Sequence, residues 1–251
     1  QTCALPISGK TSVLTKRIAH LLGMKEAWPS QILAITFTNK AAKEMRERVF
    51  KLIQEDKSLN VPISFNERPF VSTFHSLGVH IIKENAQKLG LTRHFTIFDR
   101  SDSRRAVKNA LEEIGLDPKQ YEPNTILSII SKEKGNSVNL TKFSESVGGD
   151  YMRGIIFKVW QKYEVALQKE KALDFDDLLL KTVELLEKDE VVRAHYQSVW
   201  NYVHIDEYQD TNKVQYRIAR LIAGEKKNIC VVGDVDQNIY SWRGADIKNI
   251  L

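Results

Sequence analysis

Cysteine is scarce in this 251-residue chain, and long apolar runs are missing from it. Its two cysteines are Cys3 and Cys230, and Cys230 lies inside the apolar run 229–232. This usage argues against a disulfide framework and a cysteine-based zinc site, and it favours a reducing compartment. No apolar stretch approaches the length of about 18 residues that a membrane-spanning helix needs, and no signal-peptide pattern is present. The sequence therefore predicts a soluble, cytoplasmic protein with no membrane partner.

Neither sign of charge dominates the composition. Lysine and arginine number 37 against 32 acidic residues, which gives a net charge of +5 and a pI near 9.0. Such a balance leans mildly toward polyanions such as nucleic acid, but charge alone does not establish that partner. Hydrophobic residues make up 42% of the chain, which is ample for a core, and the length allows one large domain or two smaller ones.

Both ends of the sequence look cut. The start, Gln-Thr-Cys-Ala-Leu-Pro-Ile-Ser, resembles the translation of a sequencing-library adapter, so residues 1–7 are set aside from fold reasoning as an artefact. The other end, Leu251, falls inside what reads as a starting helix. We therefore expect the chain to be a fragment of a longer protein.

The stretch Tyr202–Thr211 organises the rest of the chain. Its apolar lead-in, Val203 and Ile205, predicts a buried parallel strand that carries Asp206 and Glu207 to its carboxyl end. Ligands of open α/β sheets bind at that edge. Two adjacent carboxylates there suit a division of labour in which one holds Mg²⁺ and the other activates a water. The alternative is a solvated acidic pair at a strand end.

A phosphate-binding loop is predicted at Gly9-Lys10-Thr11, which opens an amphipathic helical pattern. In such a loop the helix N-terminus holds phosphates, the lysine reaches the β and γ oxygens, and the threonine hydroxyl ligates Mg²⁺. The preceding residues are atypical, because Leu5 and Ile7 stand where close backbone approach favours glycine. A Gly-Lys-Thr triplet also occurs by chance.

A second buried strand is predicted over 31–38, followed by a charged amphipathic helix over 39–54. The turn between them places Phe37, Thr38 and Asn39 at the same carboxyl edge. An aromatic ring beside hydroxyl and amide groups suits base stacking and phosphate contacts with a single nucleic acid strand. The alternative places Phe37 in the core.

A strand running into a helix is predicted over 70–77, and another buried strand is predicted over 227–234. The first carries His75, and a lone histidine more commonly has a structural role. The second precedes Gln237, whose amide at a strand's carboxyl edge is placed to sense a γ-phosphate. An aromatic and arginine cluster that could stack bases follows shortly after it: Tyr240, Trp242 and Arg243.

Between residues 78 and 171 the alternation of strands and helices gives way to long amphipathic helical patterns, with only a short extended run at 95–98. This break predicts a helical domain inserted into an α/β domain. Just after it, Asp174 is expected to cap a helix that runs through Leu186. The basic residues of the insertion are interpreted as a solvated face, with a DNA contact as the alternative; they include Arg104, Arg105, Lys108, Lys132 and Lys134.

These stretches together resemble, in order, the motifs of the UvrD/Rep/PcrA DNA helicases of superfamily 1. The resembling segments are 36–45, 73–78, 173–178, 205–212 and 232–246, and the resemblance runs from about Ser8 to the end of the chain. It implies a RecA-like P-loop NTPase fold, an α/β parallel sheet flanked by helices with an inserted, mostly α-helical subdomain. The expected domains are the RecA-like ATP-binding domain over 1–80 and 170–251 and the inserted DNA-binding subdomain over 81–169.

The function that the resemblance implies is an ATP-driven motor that moves 3′ to 5′ along single-stranded DNA and unwinds duplex at single-strand/duplex junctions, with ATP and Mg²⁺ as cofactors. Glu207 would be the water-activating base, and Gln237 would report the γ-phosphate. The ATP-binding residues would be Ser8, Gly9, Lys10, Thr11, Asp206 and Gln237, with Thr11 and Asp206 as metal ligands. The DNA-binding residues would be Phe37, Thr38, Asn39, His75, Tyr240, Trp242 and Arg243.

Departures from the family pattern limit what the chain is expected to do alone. A second RecA-like domain, which supplies transition-state arginines in the family, is missing, and such arginines are worth roughly 10³–10⁵ in rate. We therefore expect this polypeptide alone to be nearly inactive, although repair or replication proteins remain possible partners of the whole protein. Smaller differences are His204, where an aliphatic residue is usual, and Asn238, where serine is usual. Two alternatives stay open: the motor part of a RecB/AddA-type helicase-nuclease, and a passive single-strand-binding module.

Overall fold

The structure is a computed structural model that describes residues 9–55 and 68–237. The strands are β1 (Ile32–Thr36), β2 (Phe70–Thr73), β3 (Thr96–Phe98), β4 (Ala172–Asp174), β5 (Tyr202–Ile205) and β6 (Ile229–Val231). The α-helices are α1 (Lys10–Gly23), α2 (Asn39–Glu55), α3 (Phe74–Glu84), α4 (Arg100–Glu113), α5 (Pro123–Gly135), α6 (Leu140–Glu145), α7 (Tyr151–Lys169), α8 (Phe175–Lys188), α9 (Glu190–Val199) and α10 (Lys213–Ala223). No helix in these residues is long and apolar enough to cross a membrane.

The chain divides into two compact units. The sheet unit takes in the described residues up to Leu77, the segment Leu186–Thr211 and the described residues from Gln215 onward. The helical unit consists of Gly78–Leu185 and Asn212–Val214. The range 81–169, predicted as an insertion, lies inside the helical unit, which extends further along the chain to Leu185. The assignment of functional domains to these ranges stays a prediction.

The sheet unit is built on a parallel sheet with the strand order β2-β1-β5-β6. Every residue of β1 is buried, and β1 pairs with a neighbour on each side. A parallel strand that is covered on both faces reads as a continuous apolar run, which is why the sequence locates it. The register places Thr36 beside Thr73 and Ile35 beside Ile205, so the carboxyl ends of the strands meet at one edge.

Helices α1 and α2 pack together in the core of the sheet unit. On α1 the buried residues Leu14, Ile18 and Leu21 recur at the spacing of one helical face. On α2 the same spacing buries Met45 and Val49. The expected α/β fold with a parallel sheet flanked by helices is therefore confirmed.

The helical unit has a core of its own, drawn mainly from α4, α5 and α7. Its largest buried side chains include Trp160, Tyr163 and Phe143. Beside this core, β3 and β4 form a small parallel pair in which Thr96 is opposite Ala172. The sequence predicts an extended run at 95–98 but not its partner β4, because three residues are too short to display an alternating pattern.

One basic residue of the helical unit does not lie on a solvated face as predicted. Lys134 is only 1% exposed, whereas Lys132 on the same helix is exposed. The Lys134 Nζ lies 2.8 Å from both Asp174 Oδ2 and Asp177 Oδ1, and 3.3 Å from Glu164 Oε1. The prediction for Asp174 as a helix cap is confirmed, since its Oδ1 accepts a hydrogen bond from the N–H of Asp177 at 2.7 Å.

A buried histidine occupies the middle of the sheet. His204 on β5 is 1% exposed and stands between Ala34 and Cys230 of the neighbouring strands. Neither ring nitrogen makes a hydrogen bond of ordinary geometry among the described residues, although the backbones of Leu33 and Tyr202 lie close enough to favour the charged ring. Burial, reinforced by the charge of Arg17, lowers the pKa of His204 to about 4. The imidazole is therefore neutral at physiological pH. Burying its two nitrogens away from water destabilises the folded state, because they lose their hydration.

Replacing His204 with leucine is expected to raise the free energy of unfolding by about 1–3 kcal/mol at neutral pH, because it removes unpaired buried polar atoms. The stability of the unchanged protein should fall as pH drops from about 6.5 towards 4, because the unfolded chain binds the imidazole proton first. The leucine variant should lack this loss. Urea unfolding at pH 7.5 and pH 5, with the exposed His195→Leu as control, measures both effects. A His204→Leu variant no more stable than its parent would contradict the burial cost.

Candidate nucleotide-binding site

Helix α1 begins at the predicted phosphate-binding lysine. Gly9 is its N-cap and Lys10 its first residue, and no side chain caps this end. The first-turn N–H groups of an α-helix lack partners within the helix, so they are available to an anion. A Cβ built on Gly9 would meet nothing within 4 Å among the described residues. The described residues therefore leave space at Gly9 for an anion to approach this helix end.

Thr11 and Asp206 come together although they are far apart in the sequence. The Thr11 hydroxyl donates to Asp206 Oδ2 at 2.7 Å. Asp206 directly follows β5, and its N–H donates to the carbonyl of Ile35 at the end of β1. Burial raises the pKa of Asp206, while the hydrogen bond from Thr11 opposes that rise. Two hard oxygen ligands side by side fit Mg²⁺, which proteins hold through one or two side chains together with substrate phosphates.

The Lys10 amine is the centre of a polar cluster. Its Nζ donates to Gln237 Oε1 at 2.9 Å. It also lies 3.6 Å from Glu207 Oε2 and 3.7 Å from Asp234 Oδ2. Gln237 Nε2 in turn donates to Asp234 Oδ2 at 2.8 Å. The candidate base Glu207 and the candidate γ-phosphate sensor Gln237 therefore both lie beside the amine of Lys10, the candidate phosphate-binding residue.

Glu207 has an uncommon backbone conformation. Its φ of 50° and ψ of 44° lie in the left-handed region, and it precedes the 3₁₀ turn Tyr208–Asp210. A residue other than glycine in this region costs on the order of 1–3 kcal/mol, and such residues concentrate at functional sites. The Glu207 N–H donates to Asp206 Oδ1 at 3.1 Å, which helps to hold the turn.

Gln209 belongs to the site although the sequence reasoning gave it no role. It is 1% exposed, and it hydrogen-bonds to Glu207 and to the backbone of Asp234. The available signal was an amide placed two residues after the candidate base, within a segment that resembles a family motif. That signal does not reveal which groups the amide contacts.

A cavity of about 380 Å³ opens beside these residues at the carboxyl edge of the sheet unit. Its lining includes Thr11, Phe37, Asp206, Glu207, Gln209 and Gln237. The aromatic ring that the sequence assigns to DNA therefore borders the same cavity as the residues assigned to ATP.

The DNA-binding candidates differ in their surroundings. Phe37 is half-buried and packs edge-on against Phe74, with ring centroids 6.1 Å apart at 71°, so it is neither wholly core nor wholly exposed. Thr38 and Asn39 are exposed, and the Thr38 hydroxyl caps α2 by accepting from the N–H of Ala41 at 3.1 Å. His75 is half-buried near the start of α3. The remaining DNA-binding candidates, Tyr240, Trp242 and Arg243, lie outside the described residues, as does the ATP-binding candidate Ser8.

A parallel sheet whose carboxyl edge gathers a helix N-terminus, a lysine, a threonine and an acidic pair defines a RecA-like α/β domain. Sequence comparison gives the family: residues 3–251 match the UvrD/REP helicase N-terminal domain, and the chain belongs to that family. The resemblance predicted from the motifs is confirmed.

Curated relatives agree with this assignment. The ATP-dependent DNA helicase PcrA of Staphylococcus aureus (strain Mu50 / ATCC 700699) is 45% identical over 244 residues, which is 97% of this chain and 32% of the relative. The protein of the same name from Staphylococcus epidermidis (strain ATCC 12228 / FDA PCI 1200) is 44% identical over the same shares. The chain therefore spans about a third of the length of these relatives.

Proposed function

We propose that this chain is the ATP-binding motor domain of a DNA helicase that moves 3′ to 5′ along single-stranded DNA. The observation that carries the proposal is the convergence of Gln237, Glu207 and Asp234 on the Lys10 amine at the N-terminus of α1. This arrangement supports hydrolysis of a nucleoside triphosphate, because phosphoryl transfer depends on positioning and charge neutralisation.

Each residue has a specific task in the proposed reaction. Lys10 and the first-turn N–H groups of α1 bind the phosphates, and Thr11 and Asp206 would hold Mg²⁺, which would neutralise charge on the phosphate oxygens. Glu207 orients a water and accepts its proton as the water oxygen bonds to the γ-phosphorus. The bond from that phosphorus to the bridging oxygen breaks, giving ADP and phosphate. Gln237, which contacts Lys10 in this structure, changes partner when the γ-phosphate is present.

The test uses the complete product of the gene that encodes this chain. ATP hydrolysis with and without single-stranded DNA, and displacement of a strand from 3′-tailed and 5′-tailed duplexes, measure the activity and its direction. DNA-stimulated hydrolysis with displacement only on the 3′-tailed duplex is expected. Equal displacement from both tails would contradict the direction. DNA binding that does not respond to ATP would indicate the passive single-strand-binding module.

Phe37 is proposed to stack on a DNA base. Replacing it with alanine is expected to weaken binding of an oligothymidine by about 1–3 kcal/mol, the usual cost of losing one base–aromatic contact. Fluorescence anisotropy in matched salt measures this change, because phosphate contacts make affinity depend on salt. Phe50→Ala on α2 is the control, since Phe50 is also half-buried but is assigned no DNA contact. Equal losses in the two variants would contradict a stacking role for Phe37.

A further inference from the structure

Gln209 bridges the segments that follow two neighbouring strands. It lies in the 3₁₀ turn after β5 and is 1% exposed. Its Nε2 donates to Glu207 Oε2 at 2.9 Å, and its Oε1 accepts from the N–H of Asp234, beyond the end of β6, at 2.9 Å. Both polar ends of a buried amide are therefore bonded to residues of the candidate site, and its orientation is fixed by a donor and an acceptor at once.

The Glu207 side chain needs such support. It is 38% exposed, and its backbone is left-handed, so its own surroundings do not confine the carboxylate to one orientation. The bond from Gln209 and the approach of the Lys10 amine both involve Oε2. The hydrogen bond that Glu207 accepts among the described residues uses Oε2, which leaves Oε1 to accept a proton from water.

The other end of Gln209 connects to the γ-phosphate sensor. Asp234, whose N–H bonds to Gln209, accepts from Gln237 Nε2 at 2.8 Å through its own side chain. Gln237 in turn accepts from Lys10 at 2.9 Å, which closes a ring of contacts back to Glu207. A shift of Gln237 or Asp234 on nucleotide binding would therefore reach the candidate base through one amide.

We propose that Gln209 is a positioning residue that holds the Glu207 carboxylate for catalysis and ties its orientation to the segment carrying Gln237. This inference rests on the proposed ATP hydrolysis. Gln209 does not touch the reacting atoms; it acts through Glu207. The loss of its amide should therefore slow the chemical step while leaving the binding of Mg-ATP largely intact.

Two variants in the complete gene product separate the bond from Gln209 to Glu207 from its bond to Asp234; a longer contact of 3.5 Å joins Gln209 Nε2 to Asp210 Oδ2. Gln209→Leu removes both, whereas Gln209→Glu keeps an acceptor for the Asp234 N–H and replaces the donor to Glu207 with a carboxylate oxygen. Both are expected to lower kcat for DNA-stimulated hydrolysis by about 10- to 100-fold, as misplaced catalytic groups do. The Kd for a fluorescent ATP analogue with Mg²⁺ should change by less than about threefold. Gln197→Leu is the control, because Gln197 bonds to the carbonyl of Leu221 away from the cavity and its loss should leave kcat unchanged.

Other outcomes would overturn the inference. Normal turnover in Gln209→Glu together with slow turnover in Gln209→Leu would mean that the bond to Asp234, and not the one to Glu207, matters. A parallel loss of kcat and ATP affinity would reduce Gln209 to a structural role. If Gln209→Leu does not fold, the kcat and ATP affinity of Gln209→Glu alone test the inference. Hydrolysis that is unaffected by Glu207→Gln would remove Glu207 as the base and this inference with it. Absence of DNA-stimulated hydrolysis in the unchanged protein would instead overturn the proposed function itself.

Discussion

Replacing Glu207 with glutamine is expected to lower the turnover number for ATP by about 10²–10⁴-fold, the usual contribution of a positioned general base. The glutamine has the same shape, and its carbonyl can still accept the hydrogen bond from Gln209. What it loses is the ability to take a proton from water. Its lost ion pair with Lys10 is part-exposed at 3.6 Å, and such pairs contribute about 0–1 kcal/mol, so ATP affinity should change little.

Single-turnover and steady-state hydrolysis with single-stranded DNA, beside direct binding of Mg-ATP, separate these effects. Glu47→Gln is the matched control, because Glu47 is an exposed carboxylate on α2 whose ion-pair partner within residues 9–55 and 68–237 is Lys43, at 3.9 Å. Its turnover should equal that of the unchanged protein. A Glu207→Gln variant that hydrolyses ATP at the normal rate would exclude Glu207 as the base. A large loss of ATP affinity would make its role electrostatic instead.

The sheet and its functional edge follow from the sequence because their signals are local. Buried parallel strands read as apolar runs, so β1 is recognisable without knowledge of its neighbours, and β5 is recognisable from Val203 and Ile205 although His204 interrupts it. The residues that directly follow such parallel strands then lie close together at the carboxyl edge of the sheet. This rule is sufficient to predict that Asp206 and Glu207 lie at the same edge as Phe37, although it gives no distances and does not assign roles. The meeting of Thr11 with Asp206 follows from the resemblance to the helicase motifs, because residues 1–7 are set aside and no predicted strand precedes Thr11.

Contacts that depend on tertiary geometry are not accessible in the same way. Gln209 reads as one polar residue among several, and only the structure reveals that its amide joins Glu207 to Asp234. Lys134 has the spacing of a solvated helical face, but its carboxylate partners come from α7 and from the start of α8. A pattern along one helix carries no information about charges that other elements bring to it.

The buried cluster around Lys134 provides the other large expected effect. Burial disfavours the charge on Lys134, but the attraction of Asp177, Asp174 and Glu164 outweighs burial and raises its pKa above the ordinary value. Burial also disfavours the charge on Asp177 and therefore raises its pKa to about 7, while the positive charge of Lys134 acts to lower it. One cation therefore offsets several carboxylates, and Tyr163 completes the cluster by donating to Asp174 at 2.9 Å.

Replacing Lys134 with methionine is expected to lower the free energy of unfolding of the helical unit by about 3–5 kcal/mol, because removing one partner of a buried ion pair leaves uncompensated charge behind. Methionine has a similar length, so the loss reports charge more than volume. Lys132→Met on the same helix is the control, since Lys132 is exposed and its replacement should cost little. Urea unfolding, with hydrogen exchange of the α7 amides to report on this unit alone, gives both values.

The pH dependence of that loss tests its electrostatic origin. Without the lysine charge, the folded state can accommodate the remaining carboxylates only by protonating them, whereas the unfolded chain binds those protons only near pH 4. Folding then takes up protons, so the stability of Lys134→Met should fall as pH rises from about 5 to 8. The loss relative to the unchanged protein should be largest at pH 8.

Adding Asp174→Asn and Asp177→Asn to the methionine variant should recover much of the stability, because the two uncompensated charges are then gone. A loss that is independent of pH and is not recovered by these changes would mean that packing, and not charge, makes Lys134 necessary.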